Sequence, residues 1–477
     1  MSNEGKRALM SIGNRTISVA SAISFMIISS FNIVSCATTE TTQVIPNPIE
    51  NAVLSPSEDI SVIVRTDEYI MPVAELRTTK TYPEKIEIEN KYIRISMVPH
   101  RGRILLDFFF KSTGSNEFHR NAKPRPILKD NDYVVEFGGY YLSLPWNPRD
   151  RQPYDLEYKI LDQGPDVVEV YLWGEDPDNQ AFVEIWITAE RDSSLVQVKT
   201  KISNKRENIL DIGFNDFTII AAGGELTDNC SLIIPSSEAT IGQSMNNWMG
   251  MEGERISWPQ TWSNWGDFKH FGSFNVLADN MSGPFSAVIN HDTGDTLIKL
   301  WEPDDFFDGI HIWSWGKDYK DTSGGVPTVN YENYKESLSI PPNGSIYYVT
   351  YFYVLKDLQY VATADAFFAG WIQTEKQDYR ISRNSILKIK SQLGSSRDYD
   401  NLDLIVTLAD LEGNVLKEII SEPITAISPS QICNRSWKID FDSPGIEAGR
   451  YTFKLEIFDG NGSLLFTTSS LPITIRQ

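Results

Sequence analysis

The chain has 477 residues, with 43 lysines and arginines against 64 aspartates and glutamates, a formal net charge of −21. So acidic a chain argues against nucleic acid or anionic lipid as its main partner, because both present dense negative charge. The length suggests two or more domains, and three cysteines are too few for a disulfide framework.

The first element is a leader. Lys6, Arg7 and Arg15 precede an apolar run, residues 17–34, which leads into Ile33-Val34-Ser35-Cys36. A basic segment, an apolar segment and small residues before a cut mark residues 1–35 as a secretory signal. A cysteine directly after this ending resembles a bacterial lipobox. That resemblance implies lipid on Cys36, a membrane anchor through that lipid, and an extracytoplasmic place in the cell envelope, periplasmic or surface. Residues 36–58 are rich in Thr, Pro, Asn, Glu and Ser and read as a flexible tether. No later run is long and apolar enough to span a bilayer.

The next segment, residues 90–121, reads as strand, turn and strand. Ile93, Ile95 and Met97 alternate with Arg94 and Ser96, the period of a half-buried strand. The turn at residues 99–102 gathers His100, Arg101 and Arg103 around one bend. Such a cluster is either a solvated hairpin turn or a set of binding groups on a rigid strand end. Further alternating runs at 168–171, 182–187, 196–201 and 347–354, separated by Gly, Asn, Asp and Pro, predict an all-β protein. Residues 59–372 are too many for one ordinary sandwich and predict two extended antiparallel sheets. Near their end VATADAFFAGW at 361–371 predicts a short helix, and the polar stretch 373–383 that follows reads as a linker. Beyond it, Leu402, Leu404, Val406 and Leu408 alternate, as do Tyr451, Phe453, Leu455 and Ile457. Glu412-Gly413-Asn414 and Asp459-Gly460-Asn461-Gly462 supply turns. Residues 384–477 therefore read as a small β-sandwich. The run Gly449-Arg450-Tyr451-Thr452-Phe453 resembles a late strand of immunoglobulin-like bacterial modules, and the segment serves as a spacer or interaction module. Cys230 and Cys433 are expected as buried free thiols.

Seven of the twelve tryptophans fall between positions 248 and 315. Four lie in the irregular segment 246–272, which includes Trp262. Rings on a loop are either folded under or used, and their faces suit the C–H faces of sugars. In GIHIWSWG, His311, Trp313 and Trp315 share one side of a strand, either a core stripe or a pocket wall. The acidic stretch 302–305 lacks EF-hand spacing, so no metal is expected. CxxC, P-loop and dinucleotide motifs are absent from the sequence, and no cofactor is expected.

Taken in order, NKYIRISMVPHRGRI, KSTGSNEFHRN, GGYYLSLP, Ile202-Ser203-Asn204, Phe214-Asn215-Asp216, GIHIWSWG, and Tyr331-Glu332-Asn333 before IPPNG resemble the galactose mutarotase-like, or aldose 1-epimerase-like, family over residues 61–356. They are closest to an uncharacterised bacterial branch. The resemblance implies a large antiparallel β-supersandwich, followed here by the small immunoglobulin-like sandwich, and a carbohydrate-facing groove on one sheet. It also implies a glutamate base and a histidine acid working on a sugar ring. By position these are Glu332 and His291, with Arg103, His100, Asn215, Trp262, His311, Trp313 and Trp315 contacting the sugar. The chain lacks the paired-histidine pattern of true mutarotases. Three functions follow as expectations: a carbohydrate-active enzyme, a non-catalytic glycan-binding lipoprotein, or a structural or assembly protein of the envelope.

Overall fold

Alternation at period two dictates the architecture: strands dominate, and the helical turns described are three-residue 3-10 turns. The computed structural model describes residues 60–67, 82–119, 125–126, 134–135, 138–144, 156–176, 180–244, 250–258, 272–302, 307–315, 328–380, 386–440 and 446–476.

The first twelve-stranded sheet runs in the order Ser61–Asp67, Tyr82–Glu89, Ile93–Val98, Arg103–Phe110, Gly139–Ser143, Leu210–Ile220, Thr328–Ile340, Gly309–Trp315, Gly272–Leu277, Glu238–Ser244 and Arg255–Ser257. The short strand Ser115–Asn116 adds to Arg103–Phe110. An eight-stranded sheet lies against it, in the order Cys230–Ile233, Phe285–Asn290, Asp295–Trp301, Ser345–Lys356, Val196–Asn204, Ala181–Glu190, Val167–Glu175 and Glu157–Gln163. The two inner faces share one core. Phe214, Tyr331, Ile310, Ile312 and Phe274 from the first sheet meet Val183, Ile185, Val198 and Phe352 from the second. Each such side chain contributes about 1.5–3 kcal/mol on burial. One ion pair crosses this core. Lys299 Nζ sits 2.7 Å from Asp216 Oδ1, both side chains buried. Burial opposes both charges, pushing the Asp216 carboxyl up and the Lys299 ammonium down, while each partner acts the other way.

A second sandwich follows. Its four-stranded sheet is Thr363–Ala364, Phe368–Thr374, Ile386–Ser395 and Cys433–Asp440. Its six-stranded sheet is Asp378–Arg380, Ile473–Arg476, Gly449–Phe458, Tyr399–Ala409 and Val415–Ile427, with Leu464–Ser469 on the Gly449–Phe458 strand. Leu387, Leu404, Val406, Phe453 and Leu455 fill the space between them.

Two expectations need correction here. Residues 361–371 form no helix: Thr363–Ala364 and Phe368–Thr374 are strands, the latter paired with Ile386–Ser395. Partner strands outweigh the helix preference of four alanines. The stretch 373–383 is not a plain linker either, because Asp378–Arg380 pairs in parallel with Ile473–Arg476.

The second sandwich packs against the first. The outer face of the eight-stranded sheet presents Phe285, Ile289, Ile298, Leu300, Tyr353 and Leu355, which pack with Val361, Ala364, Ala369 and Ile432. Left bare, so apolar a face would be exposed to water. Polar contacts fix the docking. The Ser194 N–H donates to Ser396 O at 2.7 Å and the Lys356 N–H to Pro429 O at 2.9 Å. Arg397 pairs with Glu190 at 3.1 Å and Lys91 with Asp398 at 2.6 Å. Cys230 and Cys433 are buried free thiols.

Candidate functional site

With Tyr140, Phe214, Tyr331 and Ile312 pointing into the core, their chain neighbours occupy the opposite face of the twelve-stranded sheet. Antiparallel register then sets side chains from five strands in one row: Tyr141, Phe217, Glu332, His311 and Asn275. The next row holds Ile219, Asn330, Trp313 and Ser273. Neighbouring strands lie about 4.8 Å apart, so members of a row are in reach of one another.

Glu332 is the centre of the row and only 2% exposed. Its Oε2 accepts from Asn215 Nδ2 at 3.0 Å, and its Oε1 accepts from Asn330 Nδ2. Amide donors thus hold the carboxylate at both oxygens. The Tyr141 ring stacks on Phe217, centroids 4.8 Å apart and planes 4° from parallel. The Arg103 guanidinium lies over the other side of this stack, 4.0 Å from the Tyr141 centroid. Burial pushes the Tyr141 phenol up to about 12; the Arg103 charge pulls the other way, while the Glu332 charge adds to the rise. Gly139 makes this approach feasible. It sits at φ +69°, and a Cβ there would stand 2.3 Å from Leu105 O. The Gly139–Ser143 strand can therefore close against the Arg103 strand.

His311 stands opposite Glu332 in the register. Its ring lies 4.7 Å from that of Trp313, at 37°. Burial pushes the imidazole down to about 4, so it is neutral at ordinary pH.

The structure thus gathers Glu332, Asn215, Arg103, His311 and Trp313 on one face. It does not bring His291 to Glu332. His291 follows the Phe285–Asn290 strand of the opposite sheet, with its Nε2 2.7 Å from Ser231 Oγ. His311 occupies the place expected for it. His100 lies in the 3-10 turn Pro99–Arg101 and faces Glu84, Nε2 to Oε2 at 3.4 Å. The chain turns over at Gly102, at φ 58°, so Arg103 leaves that turn and enters the sheet. Trp315 is placed by its backbone alone, opposite Thr328. Trp262 and Cys36 lie outside the described residues. Tyr141, Phe217, Asn330 and Asn275 were not expected. A period-two reading back from Glu332 finds Asn330, and the same reading from Asn215 finds Phe217.

No family model matches the chain, and no curated protein does. Solved structures do. A TPR-domain containing protein from Parabacteroides distasonis is 12% identical over 63% of this chain, with a TM-score of 0.49. The match spans 55% of that protein, about half its length. A galactose mutarotase-like protein from Clostridium acetobutylicum is 10% identical, covering 63% of this chain and 100% of its own, with a TM-score of 0.41. Another, from Lactobacillus casei, is 9% identical, covering 57% and 99%, with a TM-score of 0.37. The structural neighbours thus include galactose mutarotase-like proteins, the family that the sequence motifs resemble. So distant a likeness says nothing of chemistry, which rests on the side chains.

Proposed function

We propose that this protein is a lipid-anchored, extracytoplasmic lipoprotein that binds carbohydrate on the Glu332 face of its large sandwich. The carrying observation is the row itself: a carboxylate gripped by Asn215 and Asn330, between the Arg103–Tyr141–Phe217 stack and the His311–Trp313 pair. Carboxylate and amides match sugar hydroxyls, and ring faces match sugar C–H faces. The anchor and the location are supported by the leader sequence and Cys36.

The same groups favour recognition over ring opening. General acid–base catalysis works best with groups that change protonation near the operating pH. Glu332 has both oxygens engaged by amide donors rather than open to a sugar proton. His311 is pushed down to about 4 by burial, so it carries no acid proton to give at neutral pH. The chain retains a sugar-handling surface with its proton chemistry muted.

A glycan array probed with the mature chain tests this. Retention on one or more saccharides is expected, weakened by Asn215→Ala and by Trp313→Ala in folded variants. An array without hits would overturn the proposal.

A further inference from the structure

A second pair of buried acids lies away from the Glu332 face. Glu117 follows the short strand Ser115–Asn116 of the twelve-stranded sheet, and Asp295 opens the strand Asp295–Trp301 of the eight-stranded sheet. Both are fully buried. Glu117 Oε2 accepts the Gly223 N–H at 3.0 Å, and Asp295 Oδ2 accepts from Thr113 Oγ1 at 2.9 Å. The hydroxyls of Thr293 and Ser115 also address Asp295. One oxygen of each acid, Glu117 Oε1 and Asp295 Oδ1, is left buried without a hydrogen bond. The same turns bring the two acids together: the Gly223 N–H caps Glu117, a Cβ on Gly223 would stand 2.4 Å from Thr293 Oγ1, and Thr293 lies two residues before Asp295.

Ionised carboxylates only accept. Two of them side by side repel and leave both oxygens unsatisfied, at a cost of about 1–3 kcal/mol per buried group. One proton between them turns the repulsion into a hydrogen bond. Charge balance agrees. The cation facing the pair is Lys356, with Nζ 3.9 Å from Asp295 Oδ1, and it also donates to Thr293 O. One ammonium and one shared negative charge cancel. The remaining titratable neighbour is the buried Cys230 thiol, itself pushed up mainly by burial.

We propose that Glu117 and Asp295 hold a single proton between them and form a pH-released latch where the two sheets meet. The latch gathers three turns: residues 110–115, the 3-10 turn Ala222–Gly224, and residues 290–295. Gly223 is the fitting that lets them close. It sits at φ +73°, and a Cβ there would stand 2.4 Å from Thr293 Oγ1. Burial, followed by the Asp295 charge, pushes the Glu117 carboxyl well above the usual carboxylate range. The folded chain therefore keeps a proton that the unfolded chain has lost. Stability from the latch is present at low pH and is lost as pH rises through the folded titration of Glu117. This device does not depend on the carbohydrate reading.

The test is amide hydrogen exchange on the full mature chain from about pH 5 to about pH 9, corrected for intrinsic rates, alongside Tm. In wild type, protection of the Gly223 amide should fall as pH rises above about 7, where the histidine contribution to stability is already complete, and Tm should fall with it. Glu117→Gln supplies a permanent N–H donor to Asp295 and should make Gly223 protection flat with pH. Asp295→Asn, which donates to Glu117 instead, should do the same and serves if the first variant folds poorly. Constant Gly223 protection in wild type would overturn the proposal, as would an unchanged pH dependence in either folded variant.

Discussion

Glu332 and His311 face each other directly across two adjacent antiparallel strands, Thr328–Ile340 and Gly309–Trp315. A carboxylate and an imidazole in register could form an acid–base couple. Two asparagines hold the carboxylate, and burial keeps the ring neutral.

Neutrality of His311 has a measurable consequence. Burial pushes both His311 and His119 down to about 4. Between that value and the ordinary histidine pKa of about 6.5, the unfolded chain binds more protons than the folded one. Stability therefore rises with pH through this window and is lost on acidification, by on the order of 3 kcal/mol at most per ring. Ring resonances of His311 should show no titration between about pH 5.5 and about pH 8. A midpoint near 6.5 would refute the assignment.

The two-amide grip on Glu332 can be broken from one side. Asn330→Ala leaves Glu332 Oε1 buried without its donor. The expected cost is about 1–3 kcal/mol, read by urea denaturation with an unchanged m-value. In a Glu332→Leu background the same change should cost much less.

The core ion pair offers a sharper asymmetry. Lys299→Met strands the Asp216 carboxylate between the sheets, at an expected cost of about 3–5 kcal/mol. Adding Asp216→Leu should restore most of that loss, because the paired charges were themselves expensive to bury. A double variant no more stable than the single would contradict this.

Docking of the small sandwich predicts shared cooperativity. A chain ending near residue 360 would bare Phe285, Ile298 and Leu355. It should aggregate or unfold, and the mature chain should melt in one calorimetric transition. Two separate transitions would show that the contact is weak.

How much of this could be read from the residues varies with the kind of signal. The alternation at Ile93, Ile95 and Met97, and at Leu402 through Leu408, marked real strands because each has one buried face. The 361–371 segment misled because its alanines and phenylalanines fit a helix locally, while its fate is set by the Ile386–Ser395 partner. The site was half legible. Glu332, Asn215, Arg103, His311 and Trp313 were visible as polar or aromatic groups in recurring motifs. His291 was misplaced because spacing along the chain does not reveal which sheet a turn belongs to. Tyr141 gave no signal as a site residue, since an aromatic in a strand usually belongs to the core.

Saturation-transfer NMR with a panel of neutral aldoses and oligosaccharides, run on the mature chain, tests the central claim most directly. It reports binding and anomer exchange in one sample. Transfer to at least one saccharide is expected, lost in Asn215→Ala and unaccompanied by faster anomer exchange. Absence of transfer across the panel would contradict carbohydrate recognition, and accelerated exchange abolished by Glu332→Gln would contradict the muted chemistry.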